Sequence, residues 1–182
     1  MAKSAGASRK DSVVKVLNQA RAMELQAIHQ YMNQHYGLAD MDYGELAAQM
    51  KLIAIDEMRH AEMFAERVKE LDGEPTTEMA GPVQKGQKIE AIFVADTAAE
   101  QEAIDVYNGF LRVCADSGDS TSLKLFEAVI DEEQAHLNYF DNVRDHIESL
   151  GAAYLAQKAG TPSATGLNTL GFVARQAGAG GA

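Results

Sequence analysis

Apolar residues recur along most of the chain at intervals of three and four, the repeat of an amphipathic α-helix. Four long segments carry this pattern. The first is expected over about Ser12 to Tyr36, with an inward stripe of Val14, Leu17, Arg21, Glu24, Ile28 and Tyr31 and with Gly37 as its stop. The second is expected over about Tyr43 to Leu71, opened by an Asp42–Glu45 capping pair and closed by Gly73 and Pro75. Its stripe reads Met50, Ile53, Glu57, His60, Phe64, Val68 and Leu71. The third, about Ile89 to Ala115, offers Phe93, Glu100, Ile104, Tyr107, Leu111 and Cys114. The fourth follows "SGDS" and runs to about Leu150, with Phe126, Ile130, Glu133, His136, Phe140 and Val143.

The connections decide how these helices pair. Residues 37–42 and 116–120 are short enough to join antiparallel neighbours, whereas 72–88, with two prolines, form a longer crossing. Two helical hairpins joined by one long connection make an all-α, antiparallel four-helix bundle. A short fifth helix is expected in "AAYLAQKA", after Gly151. The expected domain is residues 11–159, preceded by a polar arm over 1–10 and followed by a flexible Gly/Ala-rich tail over 160–182.

Each stripe contains a residue that an apolar core excludes. Glu24, Glu57, Glu100 and Glu133 all sit mid-face. A buried, unpaired carboxylate costs several kcal/mol or changes its protonation state. Four together repel one another, so something positive must lie between them. Glu57 and Glu133 open the motifs "EMRH" and "EQAH", and residues i and i+3 of a helix project to one side. Each motif therefore presents a carboxylate and an imidazole to one point.

The pattern is duplicated. Glu24 precedes Glu57 by 33 residues, and Glu100 precedes Glu133 by the same interval. "ELQAIHQY" (24–31) and "EQEAIDVY" (100–107) each place Tyr seven residues after Glu. The constellation E-x6-Y … E-x-x-H, occurring twice, indicates two halves related by an approximate two-fold axis. Four carboxylates and two imidazoles without thiolate suit a pair of iron or manganese ions, with zinc a competitor. Bridging carboxylates hold such ions roughly 3.5–4 Å apart, close enough to share an oxygen species. Tyr31 and Tyr107 are expected to support ligand carboxylates by hydrogen bonding, with electron donation as a further role.

Composition narrows the class. The chain has 182 residues, a net charge of −11 and one cysteine, Cys114. That acidity disfavours nucleic acid, which needs clustered Lys and Arg. A lone cysteine excludes an internal disulfide and any thiolate metal site. No apolar run is long enough for a membrane span, and the first residues lack a signal-peptide core, so a cytoplasmic location is expected.

At "LNQARAMELQAIHQYMNQH", "IAIDEMRHAEMFAERVKELDGEP" and "DEEQAHLNYFDNV" the sequence resembles bacterioferritins, over roughly residues 11–158. The resemblance implies a ferritin-like bundle that assembles from dimers into a hollow homo-24-mer. It implies a ferroxidase centre with two iron ions per subunit. Glu57 and Glu133 would bridge them, Glu24 and His60 completing one iron, Glu100 and His136 the other. Ferrous iron would be oxidised by oxygen or hydrogen peroxide and stored as a ferric mineral, with a redox protein serving its release.

Met58 points about 100° away from Glu57 around the helix. Ala54, Ile55, Ala61 and Ala65 are expected on the same outer face. The family places Met here as an axial ligand of haem, one from each of two subunits. Leu52 stands where the best-known members carry a cavity-facing His, the third-helix ligand that fits the repeat is Glu100 rather than Glu90 or Glu102, and the tail is long for the family. Tyr107 is more reminiscent of rubrerythrins. A rubrerythrin-like di-iron peroxidase or oxidase without mineral storage is the alternative, and a haem-carrying structural shell or DNA-protecting cage is a third reading, whose DNA role the negative charge opposes.

Overall fold

A computed structural model describes residues 2–166 and 170–179, with side chains from residue 9 to 178. Four long helices dominate: α1 (Ala2–Asp40), α2 (Gly44–Glu70), α3 (Ile89–Ser117) and α4 (Ser120–Leu150). Two short ones follow, α5 (Ala152–Lys158) and α6 (Phe172–Ala179). The helix pairs α1–α2 and α3–α4 form the two expected hairpins, with 71–88 crossing between them. No strand occurs among the described residues; a single bridge joins Tyr43 to Thr161.

Three boundaries differ from the sequence expectation. α1 begins at Ala2, ten residues early, because the polar stretch is rich in Ala, Lys and Arg, good helix formers even without an apolar face. It also runs through Gly37 to Asp40. The start of α2 is not an Asp42–Glu45 box. Asp42 adopts a positive φ of 67°, and the Glu45 N–H is capped by Thr161 Oγ1 at 2.8 Å, from a residue far along the chain. Gly44 permits that approach, since a Cβ there would collide with the Thr161 carbonyl. The third difference is α6, an ordered helix inside the segment expected to be a flexible tail.

Arg21, expected in the inward stripe of α1, is half-buried instead. It donates to the Thr76 carbonyl at 2.9 Å and to the Ala61 carbonyl, pinning the crossing segment to α1 and α2. Asn18 assists from α1, accepting from the Thr76 N–H at 2.8 Å. At the α3–α4 turn, Asp119 caps Ser122 N at 3.0 Å and receives Arg67 from α2 at 2.9 Å. Cys114 lies buried beside this turn, and burial pushes its thiol up to about 11.

The core falls into two clusters at opposite ends of the bundle. One gathers Leu38, Leu46, Met50, Phe93 and Phe140. The other gathers Leu17, Phe64, Tyr107, Phe126 and Val129. Each fully buried large side chain contributes about 1.5–3 kcal/mol. Between the clusters lies a buried polar layer, and the two apolar ends offset the cost of keeping it dry.

Candidate metal centre

Each helix of the bundle delivers one carboxylate to the middle layer. Glu24 from α1, Glu57 from α2, Glu100 from α3 and Glu133 from α4 are all buried, together with His60 and His136. Their ligand atoms form two overlapping groups: Glu24, Glu57, His60 and Glu133 in one, Glu57, Glu100, Glu133 and His136 in the other. Within each group the atoms lie within 4.8 Å of one another. Glu57 and Glu133 belong to both. That is the geometry of two neighbouring cation positions sharing a pair of carboxylates.

The imidazoles turn Nδ1 inward. His60 Nδ1 lies 3.1 Å from Glu57 Oε2 and 3.3 Å from Glu133 Oε1. His136 Nδ1 lies 3.2 Å from Glu133 Oε2 and 3.1 Å from Glu57 Oε1. Glu57 Oε1 nevertheless makes no well-aligned hydrogen bond, although it is fully buried. An orphaned carboxylate oxygen among three other carboxylates and two nitrogen donors fits a cation better than any protein donor present.

Protonation tells the same story. Burial, and then the charge of Glu133, hold Glu24 well above the ordinary carboxylate range. Burial followed by Glu133 and Glu57 does the same to Glu100. Burial alone would raise Glu133, but the charge of His60 and bonds from His136 and His60 bring it below its usual value. Both histidines are raised: burial opposes their charge, and the facing carboxylates, Glu133 for His60 and Glu57 for His136, outweigh it. Protons and a cation are therefore competitors for this layer, since either balances its carboxylates.

The phenols cross between the halves. Tyr31 donates to Glu100 Oε1 at 2.5 Å, and Tyr107 donates to Glu24 Oε1 at 2.5 Å. Each is fully buried and its own proton is held tightly, by burial and then by the carboxylate it touches. Both tyrosines thus bond carboxylates of the buried layer, each one contributed by the other half of the repeat.

Two more carboxylates stand behind the imidazoles. His60 Nε2 meets Glu132 Oε2 at 3.3 Å, and His136 Nε2 meets Asp56 Oδ2 at 3.4 Å. A Nε2–H directed at a carboxylate leaves the Nδ1 lone pair facing the centre, which is what a metal ligand requires. The sequence does contain this signal. An acidic residue immediately precedes each motif, in "DEMRH" (56–60) and "EEQAH" (132–136), and each serves the histidine of the other motif.

Access lies between α1 and α3. A cavity of 440 Å³ reaches Glu24, Glu57, Glu100 and Glu133, with Ala80 and Gly81 of the crossing segment among its lining. Glu90 and Glu102 stay exposed on α3, outside both ligand groups, as their register requires.

Met58 is 51% exposed on the outside of α2. Of the residues expected beside it, Ile55 and Ala65 are half-buried, but Ala54 and Ala61 are buried inside the bundle. Both lie between Glu57 and Met58 around the helix axis, about 60° and 40° from Glu57, on the flank where α2 packs against its neighbours. Leu52 is buried in the core, and Asp56, one turn on, is committed to His136. No helix among the described residues is long and apolar enough to cross a membrane.

The chain is similar to known proteins. The ferritin-like domain family matches residues 14–150. A bacterioferritin from Desulfovibrio desulfuricans is 61% identical over 165 residues, covering 91% of this chain and 92% of the relative. One from Streptomyces coelicolor is 37% identical over 140 residues, 76% of this chain and 83% of the relative. A crystal structure of the D. desulfuricans protein, described as showing its diiron site in different catalytic states, superposes with a TM-score of 0.88 at 60% identity, covering 90% of this chain and 95% of that one. A bacterioferritin structure from Mycobacterium tuberculosis gives 0.77 at 32% identity, covering 81% and 93%.

Proposed function

The chain belongs to the bacterioferritin family, and from that premise we propose that it stores iron, oxidising Fe(II) to Fe(III) at a two-metal centre inside each subunit. The observation that carries this reading is the pair of overlapping ligand groups sharing Glu57 and Glu133. In it, Glu57 and Glu133 would be shared by both positions, Glu24 and His60 would complete one, and Glu100 and His136 the other. Iron supplies the electrons that the oxidant takes up. The protein would hold two iron ions with these residues; it offers four carboxylates to balance their charge and orients each imidazole through Glu132 or Asp56.

The route in is the cavity between α1 and α3, where Glu24 and Glu100 would give up their protons to an arriving cation. Tyr107 and Tyr31 fix the terminal carboxylates by donating to them. Burial of the centre between two apolar clusters keeps bulk water from competing for the ligands.

Haem, the hollow 24-subunit shell built from dimers, a redox partner for release and a cytoplasmic location complete the proposal. Met58 fits half of a haem site: its thioether faces outward, so two copies packed on this face would each offer one sulfur.

Aerobic addition of ferrous iron to the full-length protein tests the function. Ferric absorbance should develop, and the iron should coelute with a species near shell size. Oxidation without retained iron would indicate the peroxidase alternative, and no ferric absorbance would sink both.

A further inference from the structure

The ligands of the centre obey the two-fold repeat, but what stands behind them does not. His60 leans on Glu132, whose side chain is 39% exposed. His136 leans on Asp56, which is 1% exposed. The chain's own C-terminal segment makes the difference. The Val173 N–H donates to Asp56 Oδ2 at 3.0 Å, the same oxygen that meets His136 Nε2. Gly171 lies so close to the Asp56 carboxylate that a Cβ there would collide with it. Phe172 is buried, with its ring edge-to-face to His136 at 5.9 Å and packed on Tyr139 at 5.0 Å. Arg175 secures the segment by donating to the Leu170 and Thr165 carbonyls at 3.2 and 2.9 Å.

We propose that Gly171–Val173 is a positioning element for His136, its main-chain N–H holding Asp56 and its phenyl ring holding the imidazole in the metal-binding orientation. The inference rests on the two-metal reading above. Its consequence is that the two cation positions are unequal. The ion shared with Glu100 and His136 meets a ligand fixed before binding, and fixing a group in its bound geometry removes an ordering cost. The ion shared with Glu24 and His60 would meet an imidazole whose outer partner, Glu132, is 39% exposed rather than buried.

Anaerobic Co(II) titration of the full-length, metal-free protein reads this without turnover, through the visible cobalt bands and the binding isotherm. Wild type should bind two Co(II) per subunit in two separate steps. Val173→Pro deletes the N–H in the first turn of α6, where proline is tolerated. It should weaken the tighter step about 10-fold or more, the usual effect of losing a partner behind a metal-binding histidine. Val173→Ala, which keeps the N–H, should match wild type. Phe172→Ala should weaken the same step and Glu132→Gln the other one. The positioning role is overturned if Val173→Pro and Phe172→Ala leave both steps unchanged, if both steps fall equally, or if wild type shows two indistinguishable sites. Binding of fewer than two Co(II) by wild type would overturn the two-metal reading as well.

Discussion

Tyr107 on α3 donates its hydroxyl to Glu24 on α1 at 2.5 Å, so a phenol of one half holds a buried carboxylate of the other. Tyr31 returns the arrangement by donating to Glu100. The repeat is therefore interlocked rather than merely duplicated. Tyr107→Phe should weaken cation binding at the Glu24/His60 position about 10-fold, and Tyr31→Phe should do so at the Glu100/His136 position. Anaerobic Co(II) titration distinguishes the two. Equal loss at both positions in either variant would contradict the crossed assignment.

The centre trades stability for metal binding. Burial, and then Glu133 and Glu57, raise the pKa of Glu100, so its contribution to stability is present at low pH and is lost as pH rises towards its folded pKa. Metal-free Glu100→Gln should therefore melt above metal-free wild type at neutral pH. Excess Co(II) should reverse the order, since a ligand at 100 times its Kd adds about 2.7 kcal/mol to the protein that binds it. Melting curves with and without metal decide the matter. A variant already less stable than wild type without metal would refute the trade.

Asp96 gives a separate pH dependence. It is buried near the α1 side of the bundle, accepts from Gln34 at 2.8 Å, and burial raises it to about 8. Its Oδ2 and the Gln34 Oε1 are both buried without a protein donor. Between about pH 4 and 8 the folded protein binds more protons here than the unfolded chain, so stability falls across that window. Asp96→Asn supplies an amide for the orphaned oxygen and removes the titration. Its melting temperature should gain on wild type from pH 5 to pH 8, by roughly 2–4 °C for each kcal/mol. Parallel curves across that range would refute the shift.

Met58→Leu keeps the apolar volume and removes the thioether. Haem content, read from the visible spectrum after purification, should fall to near zero while ferrous oxidation continues. Full haem retention would require another axial ligand.

The bundle and the six-residue centre were legible because their signals are local and repeated. Glu57 with His60, and Glu133 with His136, lie one turn apart on single helices, so spacing alone brings them together. What stands opposite a residue is not local. The pairing of Tyr107 with Glu24, or of Asp56 with His136, depends on how α1 faces α3 and α2 faces α4, which periodicity within one helix does not encode. Ala54 and Ala61 were misplaced because small residues suit either face. Phe172 was hidden by its neighbours: a single aromatic residue among Gly, Ala and Thr reads as tail until Asp56 and His136 are seen beneath it.

Cys114 carries a consequence for durability. Peroxide attacks a thiolate rather than a thiol, and an exposed thiolate climbs from sulfenic to irreversible acids. With its sulfhydryl buried and pushed up to about 11, the chain's only cysteine is a poor target for such oxidants. Loading with ferrous iron in air should therefore leave Cys114 a free thiol that forms no cross-link between neighbouring subunits.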